Sequence, residues 1–111
     1  MINILLACGI GASSGFMAAS MRKIAKQKGL DASVHAVSKS AVPDYSEKID
    51  VLMLGPHFAS EVPQYQDLLK DRGTVVASID PDKYAELDGE GILEDALALY
   101  QEHQKETNRG K

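Results

Sequence analysis

The stretch INILLACGIGASSG, residues 2–15, sets the architecture of this chain and points to its chemistry. It begins with an uninterrupted apolar run, which predicts a strand buried on both faces, and continues into a turn rich in glycine and serine. Behind Gly15, apolar side chains recur at helical spacing until Gly29 ends the pattern, so a helix is predicted there. Cys8, the only cysteine among the 111 residues, lies where the strand meets the turn.

Short apolar runs alternate with helical patterns along the rest of the chain. Strands are predicted at 32–37, 51–54 and 74–79, with helices between them and a last amphipathic helix from Ile92 onward. This alternation predicts a single three-layer α/β/α domain with a four-stranded parallel sheet in the order 2-1-3-4, a flavodoxin-like or phosphatase-loop-like topology. The domain is predicted to span residues 1–103, and the wholly polar tail, 104–111, is expected to fray.

The composition argues against several functional classes. The formal net charge is −4 and the basic residues are scattered, whereas a nucleic-acid surface normally shows clustered lysine and arginine. A lone cysteine cannot form an internal disulfide, and no basic leader with a cleavage site precedes the first strand, so we expect a cytoplasmic protein. No apolar run approaches the ~18 residues of a membrane span, so work at a membrane would proceed through a partner.

The predicted topology places one candidate site at the carboxyl edge of the sheet. Ligands of such sheets bind where the winding reverses, here between the first and third strands. The segments that follow three strands are expected to converge there: the turn after Cys8, the segment Gly55-Pro56-His57, and Asp80.

The turn after Cys8 has the residue types of an anion-binding loop. Its predicted members are Gly9, Ile10, Gly11, Ala12, Ser13, Ser14 and Gly15. The glycines let a ligand approach the backbone amides, the serines add hydroxyl donors, and the helix behind contributes partial positive charge. The same field favours a thiolate, so Cys8 is predicted to be the nucleophile and to carry a phosphoryl group that the loop binds.

Other interpretations of this loop differ in specific residues. Cys8 could be a small buried core residue, but such a cysteine has no need of the glycines and serines behind it. A dinucleotide fingerprint fails because its third glycine comes one position late, and a nucleotide P-loop fails because Gly-Lys-Ser/Thr is absent. A low-molecular-weight cysteine phosphatase or an arsenate-reductase-like enzyme stays open, since Asp80-Pro81 matches its general acid, although Ser14 occupies the position of its arginine. A binding module of the same fold without catalytic activity is a third alternative.

Three segments together resemble the lactose/cellobiose class of IIB components of the bacterial phosphotransferase system for sugars. The loop from Cys8 with Phe16-Met17 is similar to that family's cysteine loop, residues 54–57, Leu-Gly-Pro-His, to its Leu-Gly-Pro-Gln segment, and residues 80–97 to its closing Asp, Tyr and Asp-Gly-x-Gly-Ile/Val-Leu pattern. They occur in the family's order and span nearly the whole chain. The Cys-Gly-x-Gly opening is also similar to galactitol- and ascorbate-type IIB proteins.

Four residues depart from the cellobiose-type pattern. Gly9 and Gly15 stand where that loop usually has Ser or Ala and Ser, Ala12 replaces a bulkier Met, and His57 replaces Gln. These departures leave the acceptor cysteine intact, and they bear on the sugar and on the match to partner proteins.

The resemblance implies a phosphotransferase that works through a phosphocysteine. Cys8 would accept a phosphoryl group from a phosphohistidine on a IIA protein and pass it to the 6-hydroxyl of a sugar bound by the membrane IIC transporter. The chain would then associate with the inner face of the membrane through IIC. The resemblance implies no metal and no organic cofactor.

Several residues have both a functional and a structural interpretation. His57 could contact the phosphoryl group or the donor histidine, or it could cap the next helix or lie in solvent. Asp80 could lie in a second layer of residues around the site. An N-cap role is favoured, because the charge of Asp80 would repel a phosphocysteine. Met17 is a core candidate by its spacing, while Ile10, together with Phe16, could form an apolar rim for a partner protein. Without paired His or Cys spacing, no metal site is predicted.

Overall fold

A computed structural model describes the backbone of residues 2–8 and 11–109 and the side chains of residues 2–7, 15–38 and 40–105. The strands are β1 (Ile2–Cys8), β2 (Ala32–Ser38), β3 (Val51–Leu54) and β4 (Val75–Ser78). The α-helices are α1 (Gly11–Gln27), α2 (Val62–Leu69), α3 (Pro81–Ala85) and α4 (Gly89–Arg109), and short 3-10 helices cover Lys39–Ala41, Pro56–Glu61 and Lys70–Arg72. The sheet is parallel throughout in the order β2-β1-β3-β4, as predicted.

The side chains of β1 alternate between two apolar layers, which explains the uninterrupted apolar run. Ile4 and Leu6 pack into the layer shared with α1 and α4, while Leu5 and Ala7 pack into the layer shared with α2. Every one of these four side chains is at most 2% exposed. The predicted three-layer α/β/α arrangement is therefore confirmed, with β1 in its interior.

Helix α1 ends where the sequence pattern predicts. Gly29 adopts the left-handed conformation with φ of +69°. Its N–H donates to the carbonyl of Lys26 at 3.2 Å, and the N–H of Leu30 donates to the carbonyl of Ala25 at 2.9 Å. These two bonds form a Schellman cap, which satisfies the last carbonyls of the helix and turns the chain toward β2.

Some predicted boundaries differ from the structure by a residue or more. Strand β2 extends to Ser38, and β4 is shorter at both ends than the predicted 74–79. The hydroxyl of Thr74 donates to the carbonyl of Ile49 at 2.6 Å, and the N–H of Ile79 still donates to Leu54 at 2.8 Å. Helix α4 continues to Arg109. The domain boundary at His103 and fraying of the tail remain predictions.

The amino edge of the sheet contains a buried carboxylate. Asp50 is 5% exposed, and its Oδ2 accepts hydrogen bonds from the backbone N–H of Asn3 at 2.8 Å and from its side-chain amide at 3.2 Å. The Oγ of Ser33 donates to the side-chain oxygen of Asn3 at 2.8 Å, and Lys48 approaches Asp50 at 3.5 Å. These bonds connect β2, β1 and the start of β3 at the edge opposite to the candidate site.

Candidate active site

Cys8 is the last residue of β1, and α1 begins at Gly11. The Cα of Cys8 pairs with that of Ser38 at the end of β2. The predicted loop residues Gly9 and Ile10 lie outside the described residues, and so do the side chains of Cys8, Ala12, Ser13 and Ser14. Residues 11–15 were predicted to belong to the turn, and that prediction is wrong for their backbone: they form the start of α1, because alanine and serine are compatible with a helix start. The described backbone therefore has a strand that ends at the cysteine and a 17-residue helix that begins just after it, without an acidic residue in its first turn. Such a helix start favours an anion near its free amides.

The segments after β3 and β4 end at the same edge of the sheet as Cys8. The N–H of Gly55 donates to the carbonyl of Ala7 at 3.0 Å, which connects the end of β3 with the end of β1. Ile79 continues the ladder from β4 to β3, and Asp80 follows it directly. The backbone thus brings the three predicted segments to one edge, while the contacts of the cysteine side chain lie outside the described part of the chain.

His57 is exposed and lies between two aromatic rings. Its ring centroid is 6.4 Å from that of Phe58 and 6.4 Å from that of Tyr84, with interplanar angles of 89° and 76°. Both contacts have edge-to-face geometry, which aromatic pairs prefer. His57 caps neither neighbouring helix, because Gly55 and Glu61 occupy the N-cap positions and neither shows a side-chain cap bond. The imidazole therefore connects the segment after β3 with α3 at the carboxyl edge.

Asp80 is the N-cap of α3, the structural role that its sequence favours. Its Oδ1 accepts hydrogen bonds from the backbone N–H groups of Asp82 at 2.8 Å and Lys83 at 3.4 Å, and Pro81 follows in the first turn. The carboxylate is thus bonded to its own helix. Lys83 in turn donates to Asp95 of α4 at 2.7 Å, and this hydrogen bond is the largest cause of the raised pKa of Lys83.

Two neighbouring residues of α1 have opposite environments. Met17 is 1% exposed and belongs to the core, as its helical spacing predicts, whereas the side chain of Phe16 is 64% exposed. An exposed phenylalanine in the first half of the helix behind the cysteine loop agrees with an apolar rim at this edge, although a single exposed apolar residue is common on protein surfaces.

Sequence reasoning missed the aromatic partners of His57. Phe58 is its neighbour in sequence, whereas Tyr84 comes from a separate helix. The sequence shows only that two aromatic residues follow the ends of strands, and this does not indicate that their rings contact His57. Among the described residues, no group of three or more His, Cys, Asp or Glu side chains could hold a metal ion. In the same part of the chain, no helix has both the length and the apolar character that a membrane crossing requires.

Comparisons with known proteins agree with this architecture. Residues 3–95 match the family model described as lactose/cellobiose-specific IIB subunit of the PTS system, the phosphotransferase system. A curated relative, the oligo-beta-mannoside-specific EIIB component of the PTS system of Bacillus subtilis (strain 168), is 29% identical over 99 residues, which are 89% of this chain and 96% of the relative.

Two solved structures resemble the whole fold. A cellobiose-specific phosphotransferase IIB component protein from Borrelia burgdorferi has a TM-score of 0.73 at 25% identity, over 92% of this chain and 94% of that one. The lactose-specific IIB component domain from Streptococcus pneumoniae has a TM-score of 0.74 at 18% identity, over 92% and 96%, and supports the fold alone. Because the family model spans most of the sequence, this chain belongs to the lactose/cellobiose-specific IIB subunits of the phosphotransferase system.

Proposed function

We propose that this chain is a phosphocarrier whose acceptor atom is the sulfur of Cys8. The observation that supports this role most strongly is the position of the only cysteine, at the end of β1 and just before the start of α1. Partial positive charge at a helix start stabilises a thiolate and the phosphoryl oxygens that would later be attached to it. Membership in a family of sugar-specific phosphotransferase components agrees with the same chemistry.

The first step is phosphoryl transfer from a IIA protein. The thiolate of Cys8 attacks the phosphorus of a phosphohistidine, the P–N bond breaks as the S–P bond forms, and the donor imidazole leaves. The segment of residues 9–15, which includes the first turn of α1, is proposed to bind the phosphoryl oxygens through the free amides at the helix start and the hydroxyls of Ser13 and Ser14. Positioning and electrostatic stabilisation supply most of the catalysis in such a transfer.

The second step passes the group to a sugar bound by the membrane IIC transporter. The 6-hydroxyl oxygen attacks phosphorus, the S–P bond breaks, the hydroxyl proton is released, and the thiolate of Cys8 is regenerated. The chain therefore works in the cytoplasm and visits the inner face of the membrane through IIC. Exclusion of water during both contacts prevents loss of the group by hydrolysis, and Ile10 and Phe16 are proposed to line the contact with the partner proteins.

His57 and Asp80 receive different roles in this proposal. His57 is proposed to contact the transferring group or the donor histidine from its position between Phe58 and Tyr84. Asp80 is proposed to take no part in the phosphoryl transfer, since the two hydrogen bonds that its carboxylate accepts come from α3, which it caps. A cysteine phosphatase would need this carboxyl as a proton donor and an arginine where Ser14 stands, so hydrolysis is not the proposed activity.

The acceptor step can be tested by reconstitution. Phosphoenolpyruvate, the general relay proteins and a IIA protein are added to the chain, and peptide mass spectrometry locates the phosphoryl adduct. We expect an adduct on Cys8 and none in Cys8→Ser. The double variant Cys8→Ser, Ser38→Cys is a matched control, because it moves the thiol to the paired end of β2; it should remain unlabelled. If the chain instead hydrolyses an aryl phosphate rapidly and the relay proteins do not phosphorylate Cys8, the chain is a phosphatase and the carrier proposal is wrong.

The sugar is tested separately, with membranes that contain a IIC transporter. The relatives are named for cellobiose, lactose and oligo-beta-mannoside, so these three carbohydrates form the first panel. We expect sugar phosphate to form only when the wild-type chain, the donor proteins and the transporter are all present.

A further inference from the structure

A groove of about 410 Å³ runs between the edge strand β4 and α4 and opens to solvent. Its floor is apolar and includes Met53, Ala77 and Leu99. Because β4 is the last strand of the sheet on this side, the groove lies on the flank of the molecule and is open to a large partner. It reaches the carboxyl edge of the sheet, since Asp80 also lines it.

Carboxylates surround this floor. Asp80, Asp95 and Glu102 line the groove, and Lys83 bonds Asp95 at 2.7 Å, which neutralises one of the three charges. An apolar floor inside an acidic rim is complementary to a segment that carries both apolar and basic side chains. The formal net charge of −4 of the whole chain favours approach of the same kind of segment.

We propose that this groove binds a basic segment on the cytoplasmic side of the IIC transporter, an inference that rests on the proposed function. Cytoplasmic loops of membrane proteins carry an excess of lysine and arginine, so the transporter presents the complementary charge on the side where the chain works. Strand β4 is two strands away from β1, about 10 Å at the usual spacing of strands. A partner of ordinary interface size can therefore occupy the groove and also cover the end of β1.

The test measures sugar phosphorylation by membrane vesicles that contain a IIC transporter of the lactose/cellobiose class with which the wild-type chain is active. Glu102→Lys reverses one rim charge at an exposed position. Asp67→Lys makes the same change of net charge on α2, in the opposite layer of the fold, and is the matched control. The apparent KM for the chain is expected to rise about fivefold for Glu102→Lys and to stay near the wild-type value for Asp67→Lys.

Two further measurements identify the occupant. The rate at which a IIA protein labels Cys8 is expected to be the same in both variants and in the wild type. A photocrosslinking amino acid at Ala98, an exposed residue that lines the groove, should form an adduct with IIC, whereas the same group at the exposed Leu68 of α2 should not.

Equal KM values for both variants, or the absence of a IIC adduct from Ala98, would overturn the proposal. Slower labelling by IIA in Glu102→Lys, with an unchanged KM in the vesicles, would also overturn it, because the groove would then bind the donor. An unlabelled Cys8 in the wild type would instead refute the phosphocarrier function, and the crosslinking measurement would still decide whether the groove contacts the transporter.

Discussion

Substitution of Asp80 separates a helix cap from a catalytic acid. The alanine variant removes the oxygen that accepts from the backbone N–H groups of Asp82, at 2.8 Å, and Lys83, at 3.4 Å. The asparagine variant keeps an oxygen that can accept both bonds and removes only the charge. If Asp80 acts as a cap, the two variants differ in stability and agree in the rate of phosphoryl transfer to Cys8.

The expected loss of stability follows from the two bonds. One of them is short and the other long, and the residue is exposed, so loss of the cap costs about 1 kcal/mol. Unfolding entropy is ~2.1 cal/mol/K per residue, or roughly 230 cal/mol/K for the 111 residues. Asp80→Ala should therefore lower Tm by about 4 °C, while Asp80→Asn should lower it by less than about 1 °C, because asparagine is an equally good N-cap.

The assay combines thermal unfolding, followed by circular dichroism, with the rate at which a IIA protein labels Cys8 well below Tm. Labelling by both variants should stay within about twofold of the wild-type rate, whereas loss of a general acid typically costs about 10² to 10⁴ in rate. A similar destabilisation by Asp80→Asn and Asp80→Ala would refute the capping role. A hundredfold slower reaction in Asp80→Asn would show that the carboxyl takes part in the chemistry.

Three further predictions concern the stability of the fold. Gly29→Ala should lower the free energy of unfolding by about 1 kcal/mol, because φ at this position is +69°. Gly15→Ala should raise it by ~0.5–1 kcal/mol, because a Cβ there meets open space within α1. Urea titrations that give the two variants the same stability would contradict this. Asp50→Ala should cost about 2 kcal/mol in the same titrations, because it leaves two partly buried donors of Asn3 without their acceptor. Wild-type stability would contradict the network at the amino edge. The hydrogen bond to Asp95 raises the pKa of Lys83 above its usual value of 10.5, so the folded chain holds this proton more tightly than the unfolded chain. The stabilisation of the fold by this pair is therefore fully present below pH 10.5 and is lost as the pH rises through the folded pKa. The urea midpoint should therefore decline less steeply above pH 10.5 in Lys83→Met than in the wild type, and equal slopes would contradict the pairing.

The sequence was sufficient for the features that depend on local patterns. The apolar run at 2–7 predicts a strand buried on both faces, and the alternation of such runs with helices predicts the parallel sheet and its order. Asp80 followed by Pro81 predicts a helix start, and the side chain of Asp80 does cap α3. Each of these features follows from residues that are neighbours in the chain.

Other features depend on contacts between distant segments, or on the backbone conformation of polar residues, which their polarity alone does not indicate. The position of His57 depends on Tyr84, which lies in a helix after another strand. The polar residues after His103 indicate exposure and leave the backbone conformation open; several are good helix formers, and α4 continues through them to Arg109. The groove between β4 and α4 is formed by packing of a helix against a sheet edge, for which no local pattern exists.

A single-turnover chase tests most directly whether Cys8 carries the group to a sugar. The chain is phosphorylated, separated from its donors, and mixed with vesicles that contain the IIC transporter and the sugar. We predict that the phosphoryl group leaves Cys8 and appears as sugar phosphate, with little inorganic phosphate, and that it stays on the chain when the vesicles are omitted. Release as inorganic phosphate at the same rate with and without the transporter and sugar would contradict the account.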